Sequence, residues 1–155
     1  MQQSKEIIET LAEQDGVNVA MLVSRDGFVL ELAAARALDM EAETVGAIVS
    51  TYWASAEAMG RELKAAPVRS SIVELKDAVV ATALLEQEDL VLTVVADSNT
   101  NLATMRYLTV KFAELLEAQQ GIERGLRLFQ HPAPPGAGVQ LRALVQQQGG
   151  ISSLP

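Results

Sequence analysis

The chain has 155 residues, a formal net charge of −8 and 49% hydrophobic residues, and it contains no cysteine. This length predicts one domain with a short tail, and the lack of cysteine excludes disulfides, thiolate metal ligands and thiol catalysis. The acidic balance argues against nucleic-acid binding, which needs clustered Lys and Arg. Because no apolar run reaches ~18 residues and the first ten residues lack an apolar signal core, we expect a soluble cytoplasmic protein without membrane insertion.

The charge changes along the chain. Residues 1–118 contain 9 Lys and Arg against 19 Asp and Glu, a net charge of −10, whereas residues 119–155 have a net charge of +2. This change predicts a boundary between a domain at 1–118 and a C-terminal extension at 119–155. The extension reads as a short helix or a continuation of the last one, then a Pro/Gly linker and a flexible tail.

The first elements are a helix over 3–14 and two strands over 17–24 and 28–33, within which "VNVAMLVSRDGFVLEL" forms a hairpin. Asp26-Gly27 predicts a tight primed turn with positive φ at both central residues. A reactive Ser24 would need a base, and the sole histidine, His131, lies in the tail. We therefore interpret Ser24 and Arg25 as solvated residues of a hairpin corner.

A long helix is predicted over 40–64, and Pro67 follows its end. Apolar residues recur at spacings of three and four, which is typical of an amphipathic helix. These residues are Val45, Val49, Tyr52, Ala56, Met59 and Leu63.

Three strands joined by short turns are predicted next, over 68–75, 78–85 and 90–97. "VVATALL" and "LVLTVVA" are almost wholly apolar and suit central strands, whereas "VRSSIVEL" suits an edge. A last helix over 101–118 directs Leu102, Met105, Leu108, Phe112 and Leu115 inward, and Ser98, Asn99 or Asn101 caps it. The order α-β-β-α-β-β-β-α predicts an α+β sandwich, a five-stranded, mainly antiparallel sheet with helices on both faces.

No catalytic arrangement is evident in the sequence. Phosphate-binding and dinucleotide-binding glycine motifs are missing. His131 lies alone between Gln130 and Pro132, whereas a zinc site needs three or four ligands. The acidic turn at Glu86, Glu88 and Asp89 lacks calcium-loop spacing, so we interpret it as solvated. We expect no enzymatic activity, no metal and no cofactor.

The long helix and the edge strand together predict a homodimer. Gly46 and Gly60 each lie seven residues from Trp53, so a two-fold axis near Trp53 would place Gly46 of one chain beside Gly60 of the other. Trp53 would anchor this contact, and the edge strand would pair with its mate. The predicted interface residues are Gly46, Val49, Trp53, Gly60, Arg61, Ser70 and Ile72. The alternative is that this flank of the helix packs under a strand or loop of the same chain.

The element order and three stretches resemble the roadblock / dynein light chain family, which has a longin-like fold. "GVNVAMLVSRDGFVL" is similar to the first hairpin of the family, and "GRELKAAPVRSSIVEL" follows a helix that resembles its crossover helix. "NLATMRYLTVKFAELL" is similar to its last helix, where Arg106 matches a usual arginine and Ala103 replaces an expected glycine. The resemblance covers residues 3–118.

This resemblance implies a non-catalytic dimer that regulates or scaffolds a Ras-like small GTPase, as the MglB-type members do for bacterial polarity GTPases. The alternative is a small-molecule sensor module of the same sandwich type, which would need a lined cavity. Arg61 is the only arginine of the long helix, and we interpret it as solvated rather than catalytic. We expect residues 130–155 to be mobile in the free protein, and "VQLRALVQQQ" to fold on a partner.

Overall fold

The computed structural model describes residues 2–65 and 67–128. Within these ranges three helices and five strands follow one another in the order that the sequence predicts. The elements are α1 (Gln2–Ala12), β1 (Val17–Ser24), β2 (Val29–Ala34), α2 (Ala42–Glu62), β3 (Ser70–Glu74), β4 (Ala78–Leu85), β5 (Leu90–Asp97) and α3 (Leu102–Leu128). None of the helices in these residues is long and apolar enough to cross a membrane.

All five strands form one sheet in the order β2-β1-β5-β4-β3, and every neighbouring pair is antiparallel. The predicted antiparallel sheet is confirmed, and so are the central position of β4 and β5 and the edge position of β3. The two runs that are almost wholly apolar lie inside the sheet because both of their faces are covered. The more polar "SSIVE" of β3 lies at the edge.

The turn between β1 and β2 differs from the primed turn that the sequence predicts. Gly27 has a positive φ of 91°, whereas Asp26 is not among the described residues with positive φ. The Gly27 amide donates to the Ser24 carbonyl at 2.9 Å, and the Ser24 amide donates to the Phe28 carbonyl at 2.8 Å. These contacts define a three-residue loop with glycine in the left-handed position, the next most common way to close a hairpin.

Helices α1 and α3 cover one face of the sheet. Their buried residues meet buried side chains of β1, β4 and β5 in the larger of two apolar clusters, and half-buried residues of β2 and β3 pack against it. From the helices this cluster includes Ile8, Leu11, Met105, Phe112 and Leu116. Leu102, in the first turn of α3, is 36% exposed and is not part of this cluster, so its predicted inward position is wrong.

Helix α2 covers the opposite face, which confirms the predicted sandwich. A smaller cluster lies here, in which Val49 and Trp53 of α2 pack on Val19, Met21 and Val23 of β1 and on Val91 of β5. Consecutive residues of β1 thus serve alternate clusters, as the two-residue period of a strand requires.

Helix α3 begins at the Asn101 cap, whose Oδ1 accepts a hydrogen bond from the Thr104 amide at 3.0 Å. It continues without a break to Leu128, so the predicted boundary at residue 118 lies inside a helix. Of the two predicted forms of the first part of the extension, the structure therefore has the continued helix. His131, the Pro/Gly linker and "VQLRALVQQQ" lie outside the described residues.

Candidate interaction surface on α2 and β3

Trp53 packs the inner face of α2 against the sheet and forms a hydrogen bond to it. Its side chain is only 1% exposed, and its indole Nε1 donates to Thr82 Oγ1 on β4 at 3.0 Å. The Thr82 hydroxyl is also hydrogen-bonded to the Ser71 hydroxyl on β3 at 2.6 Å. A buried polar chain therefore joins α2, β4 and the edge strand, and each member has a partner, as burial requires.

Gly46 allows α2 to approach the β1–β2 turn closely. A Cβ atom at this position would lie 2.5 Å from the carbonyl oxygen of Gly27 and 3.0 Å from a methyl group of Val29. Only a residue without a side chain fits this contact between the helix and the turn. The close approach that the sequence predicts at Gly46 therefore occurs, but its neighbour is Gly27 of the same chain.

Arg25 in the β1–β2 turn reaches across to α2. Its guanidinium forms an ion pair with Glu57, and its Nε lies 3.5 Å from Asp89 in the β4–β5 turn. The hydrogen bond to Glu57 raises the pKa of Arg25; burial opposes this rise, and the charges of Glu57 and Asp89 add to it. The carbonyl of Arg25 also accepts a hydrogen bond from the Ser50 hydroxyl.

The interpretation of this hairpin corner as solvated is therefore wrong for Arg25, whose side chain is 26% exposed, whereas Asp89 in the β4–β5 turn stays 74% exposed as expected. Both side chains take part in a clasp that holds α2 between two turns of the sheet. The Oγ of Ser24 accepts a hydrogen bond from the Phe28 amide at 3.1 Å, a local turn contact. The turn has a structural role in positioning α2.

The outer face of α2 carries an exposed apolar stripe, which we call the α2 stripe: Ile48, Tyr52, Met59 and Leu63. Ile48, Met59 and Leu63 are each at least 60% exposed, and the spacings of four, seven and four place all four residues along one side of the helix. Tyr52, Met59 and Leu63 belong to the apolar stripe that the sequence predicts for α2, but they point outward, and Val49 is the one buried member of that predicted stripe. A contiguous row of large apolar side chains on a surface indicates an interaction site.

The predicted interface residues divide into two groups. Gly46, Val49 and Trp53 are buried within a single chain, as the alternative interpretation of this flank expected. They support the outer face of α2 from beneath. Gly60 is half-buried near the C-terminal end of α2, and the neighbouring Arg61 is exposed.

The other two predicted residues lie on β3, whose inner edge pairs with β4. Ser70 and Ile72 are half-buried, and Ile72 packs against the cluster under α1 and α3. In the described part of the chain the outer edge of β3 has no strand beside it, so its backbone groups are available to another strand.

A separate groove of about 650 Å³ lies on the opposite face of the sheet, between α3 and strands β3 and β4. Its lining residues include Arg106, Tyr107, Val110 and Lys111 of α3. Among the described residues no group of three or more His, Asp or Glu is placed to hold a metal ion.

These features define an α+β domain with an exposed apolar stripe on its middle helix and, in the described residues, an unpaired outer edge on β3. The model of the Roadblock/LC7 domain family matches residues 3–96, which is more than half of the chain. The chain belongs to the Roadblock/LC7 domain family. A comparison with curated protein sequences finds no match.

Solved structures with the same fold include the Roadblock/LC7 domain from Streptomyces avermitilis, at 18% identity and a TM-score of 0.66, covering 75% of this chain and 96% of that one. MglB from Myxococcus xanthus is 14% identical, with a TM-score of 0.69 and coverage of 76% and 94%. The gliding protein MglB from Thermus thermophilus is 20% identical, with a TM-score of 0.69 and coverage of 75% and 87%. These likenesses confirm the predicted roadblock, longin-like fold.

Sequence reasoning did not find the Arg25 clasp or the outward direction of the α2 stripe. The clasp joins residues that are 32 and 64 positions apart, so no local pattern announces it. A signal for the stripe exists, because apolar residues occupy more of the α2 circumference than one buried face needs.

Proposed function

We propose that this chain is a non-catalytic, dimeric regulator or adaptor of a Ras-like small GTPase. The α2 stripe is the observation that carries the proposal, because it leaves large apolar side chains exposed on a helix that is firmly held by the sheet beneath. Family membership and the fold shared with two MglB proteins support the same class of function.

The proposed dimer is built on α2 and β3. Pairing the free edge of β3 with its two-fold mate would join two sheets, and the α2 helices would then lie side by side. In this arrangement the α2 stripe, Gly60 and Arg61 make or border the contact, whereas Trp53 supports it from within each chain.

Charge insertion tests the dimer. We expect Ile48→Glu and Met59→Glu to shift the protein towards monomer, because each places a carboxylate in an apolar contact. Tyr107→Glu is a matched control, since Tyr107 is 62% exposed on α3 across the sheet. Light scattering on a size-exclusion column at tens of micromolar measures the mass; a wild-type monomer, or an unchanged dimer in both variants, contradicts the proposal.

The proposed mechanism is positional. The paired α2 helices would present a rigid surface to the switch segments of the GTPase, which change order with the bound nucleotide. Such a surface shifts the nucleotide states only by its differential affinity for them. We do not assign a transferred catalytic arginine.

Binding and hydrolysis assays test the mechanism against each Ras-like GTPase encoded in the same genome. We expect the protein to prefer either the GTP-analogue or the GDP form in a pull-down and to change hydrolysis or exchange. Equal binding to both forms with unchanged rates would leave a scaffold, and no binding would contradict the proposal. Arg61→Ala should leave any stimulated hydrolysis within about twofold; a loss of about 10³-fold would instead identify Arg61 as an arginine finger.

A small-molecule sensor is the second candidate function, because the groove beside α3 has a volume typical of ligand sites. A thermal-shift screen against a metabolite set separates the two candidates. A specific shift without GTPase binding would favour the sensor.

A further inference from the structure

Strand β2 forms the edge of the sheet opposite β3, so the proposed dimer leaves it uncovered. Large apolar side chains occur here at every second position, because Phe28, Leu30 and Leu32 are each at least 40% exposed. The strand contains no lysine or proline, the residues that commonly protect an edge from pairing. In the described part of the chain, its outer amides and carbonyls are available to another strand.

The β2 edge is held firmly by the rest of the domain. Residues 31–34 pair in regular register with β1, and a β-bulge separates them from Val29. Two hydrogen bonds join Ser24 to the backbone of Phe28, at 2.8 and 3.1 Å. The edge is therefore preformed, and a ligand that binds it would order few additional residues.

The chain that follows β2 brings acidic residues to this edge. The strand ends at Ala34, whereas Gly46 lies against Gly27 and Val29 at the other end of the strand. Residues 35–45 therefore run back along β2 on the α2 side. Between positions 25 and 43 the sequence has five carboxylates and two arginines, which are Asp26, Glu31, Asp39, Glu41, Glu43, Arg25 and Arg36.

Both of these arginines already have acidic partners. Arg25 forms ion pairs with Glu57 and Asp89, and Arg36 lies 3.6 Å from the carboxylate of Asp97. None of the five carboxylates has an ion-pair partner among the described residues. The β2 edge therefore combines exposed apolar side chains with negative charge that nearby cations do not neutralise.

We propose that the β2 edge binds an extended, basic segment of a partner protein, which adds a further strand to the sheet. Main-chain hydrogen bonds to the edge would supply affinity, and the alternating side chains would supply specificity. Apolar side chains of the segment would pack on Leu30 and Leu32, and its Lys or Arg side chains would pair with the surrounding carboxylates.

Charge separates this partner from two other occupants. A second copy that paired edge to edge would bring the same carboxylates together, and like charges across an interface oppose such a contact. The chain's own residues 129–155 contain one basic side chain, Arg142, against five carboxylates at the edge. A segment with several basic residues matches the edge more fully than either.

Selection of peptides tests the proposal on the full chain. Random peptides of about ten residues, long enough to span β2 as strands, are displayed on phage and selected on the wild-type protein. We expect enriched peptides to alternate Val, Ile or Leu with Lys or Arg. The best peptide is synthesised with a fluorescent label, and anisotropy measures its affinity. A scrambled peptide of the same composition should bind at least about tenfold more weakly, because residue order decides which side chains share a face.

N-methylation of the peptide tests strand addition itself. Alternate amides of an added strand face β2, so methylation of one alternate set should abolish binding, whereas methylation of the other should change it by less than about threefold. Amide exchange in the protein should slow in β2 when the peptide binds, and it should stay unchanged in β3.

Substitutions in the chain locate the site. Asp39→Lys, Glu43→Lys and Leu32→Ser should each weaken peptide binding at least about fivefold, because they remove attraction or apolar contact. Asp77→Lys and Leu75→Ser make matched changes at the exposed β3–β4 turn and should leave the affinity within about twofold. Circular dichroism checks that the variants fold.

Several results would overturn the proposal. They are no enrichment of basic peptides, equal binding of the scrambled peptide, equal effects of the two methylation sets, and equal affinity in the edge and control variants. Displacement of the labelled peptide by a synthetic peptide of residues 129–155 would instead assign the edge to the chain's own tail. A lower mass of Leu32→Ser in light scattering would assign it to a second copy. Ile48→Glu and Met59→Glu should bind the peptide normally, so this proposal and the proposed dimer fail separately.

Discussion

The two faces of the sheet are closed in different ways. Under α1 and α3, seventeen described residues form a continuous buried cluster, whereas six form the cluster under α2. On the α2 side, polar contacts partly compensate for the smaller apolar cluster. They are the Trp53–Thr82 hydrogen bond and the Arg25–Glu57 ion pair. The α1/α3 face is closed by an extensive apolar core. The α2 face combines a smaller apolar core with a hydrogen bond and an ion pair.

The two helix layers therefore differ in what they contribute: the α1/α3 layer contributes mainly to stability, whereas the α2 layer leaves apolar side chains exposed. Apolar burial is non-directional and scales with area, so the α1/α3 face carries most of the folding free energy. On the α2 face the helix is positioned by a few directional contacts, while its large apolar residues stay outside. An apolar surface on a rigidly held helix is consistent with the dimer contact that we propose for α2.

The largest expected effect is truncation in the larger cluster. Leu92→Ala on β5 should lower the free energy of unfolding by about 3 kcal/mol, because it leaves a cavity at a fully buried position. Val95→Ala, on the same strand but facing α2 and half-buried, should cost about 1 kcal/mol. Urea unfolding measures the free energy of unfolding of both variants. Equal losses would contradict a larger contribution of the α1/α3 cluster to stability.

Trp53→Phe should have the next largest effect, about 2 kcal/mol, because it removes both buried volume and the hydrogen-bond donor to Thr82. Amide exchange should rise in α2 before it rises in β5. Thr82 retains its bond to Ser71, so β3 and β4 should stay paired. Equal loss of protection in both helix layers would show that α2 does not open separately.

Gly46→Ala should cost about 1–2 kcal/mol, because the new methyl group overlaps the Gly27 carbonyl and forces α2 away from the turn. The better helix propensity of alanine offsets part of this cost. Gly60→Ala in the same helix is the control, and helix propensity alone predicts a gain of up to about 1 kcal/mol there. Thermal unfolding compares the two; a gain at Gly46 would mean that the turn moves freely.

The smallest expected effect is loss of the Arg25 clasp. Arg25→Met should cost about 1 kcal/mol, since Glu57 and Asp89 lose their partner while one guanidinium nitrogen, Nη1, has no hydrogen-bond partner among the described residues. A double-mutant cycle with Glu57→Gln isolates the pair, and additive effects would exclude a coupling. The raised pKa of Arg25 means that its contribution to stability is fully present below the pKa of the unfolded chain and is lost only as pH rises through the still higher pKa of the folded protein. Titration of Arg25 should therefore cause no change in stability between about pH 6 and 9.

Local patterns predicted the elements well where hydrophobic runs are bounded by charged turns. The bounds of β4 and β5 agree with the predicted 78–85 and 90–97, because Lys76-Asp77 and the acidic turn after Leu85 end both runs sharply. The end of α3 was harder to predict, because the helix incorporates Gly121 and Gly125 instead of stopping at either glycine.

The sequence by itself determined the element order, the antiparallel sheet, the edge position of β3 and the family, because turn chemistry and hydrophobic period act over a few residues. The tertiary structure alone decided which flank of α2 is buried. Val49 and Trp53 face the sheet, whereas Ile48 and Met59 face outward, although all four are apolar. Packing made that choice, because the Gly46–Gly27 contact and the Arg25 clasp set the rotation of the helix across distances that no local pattern spans.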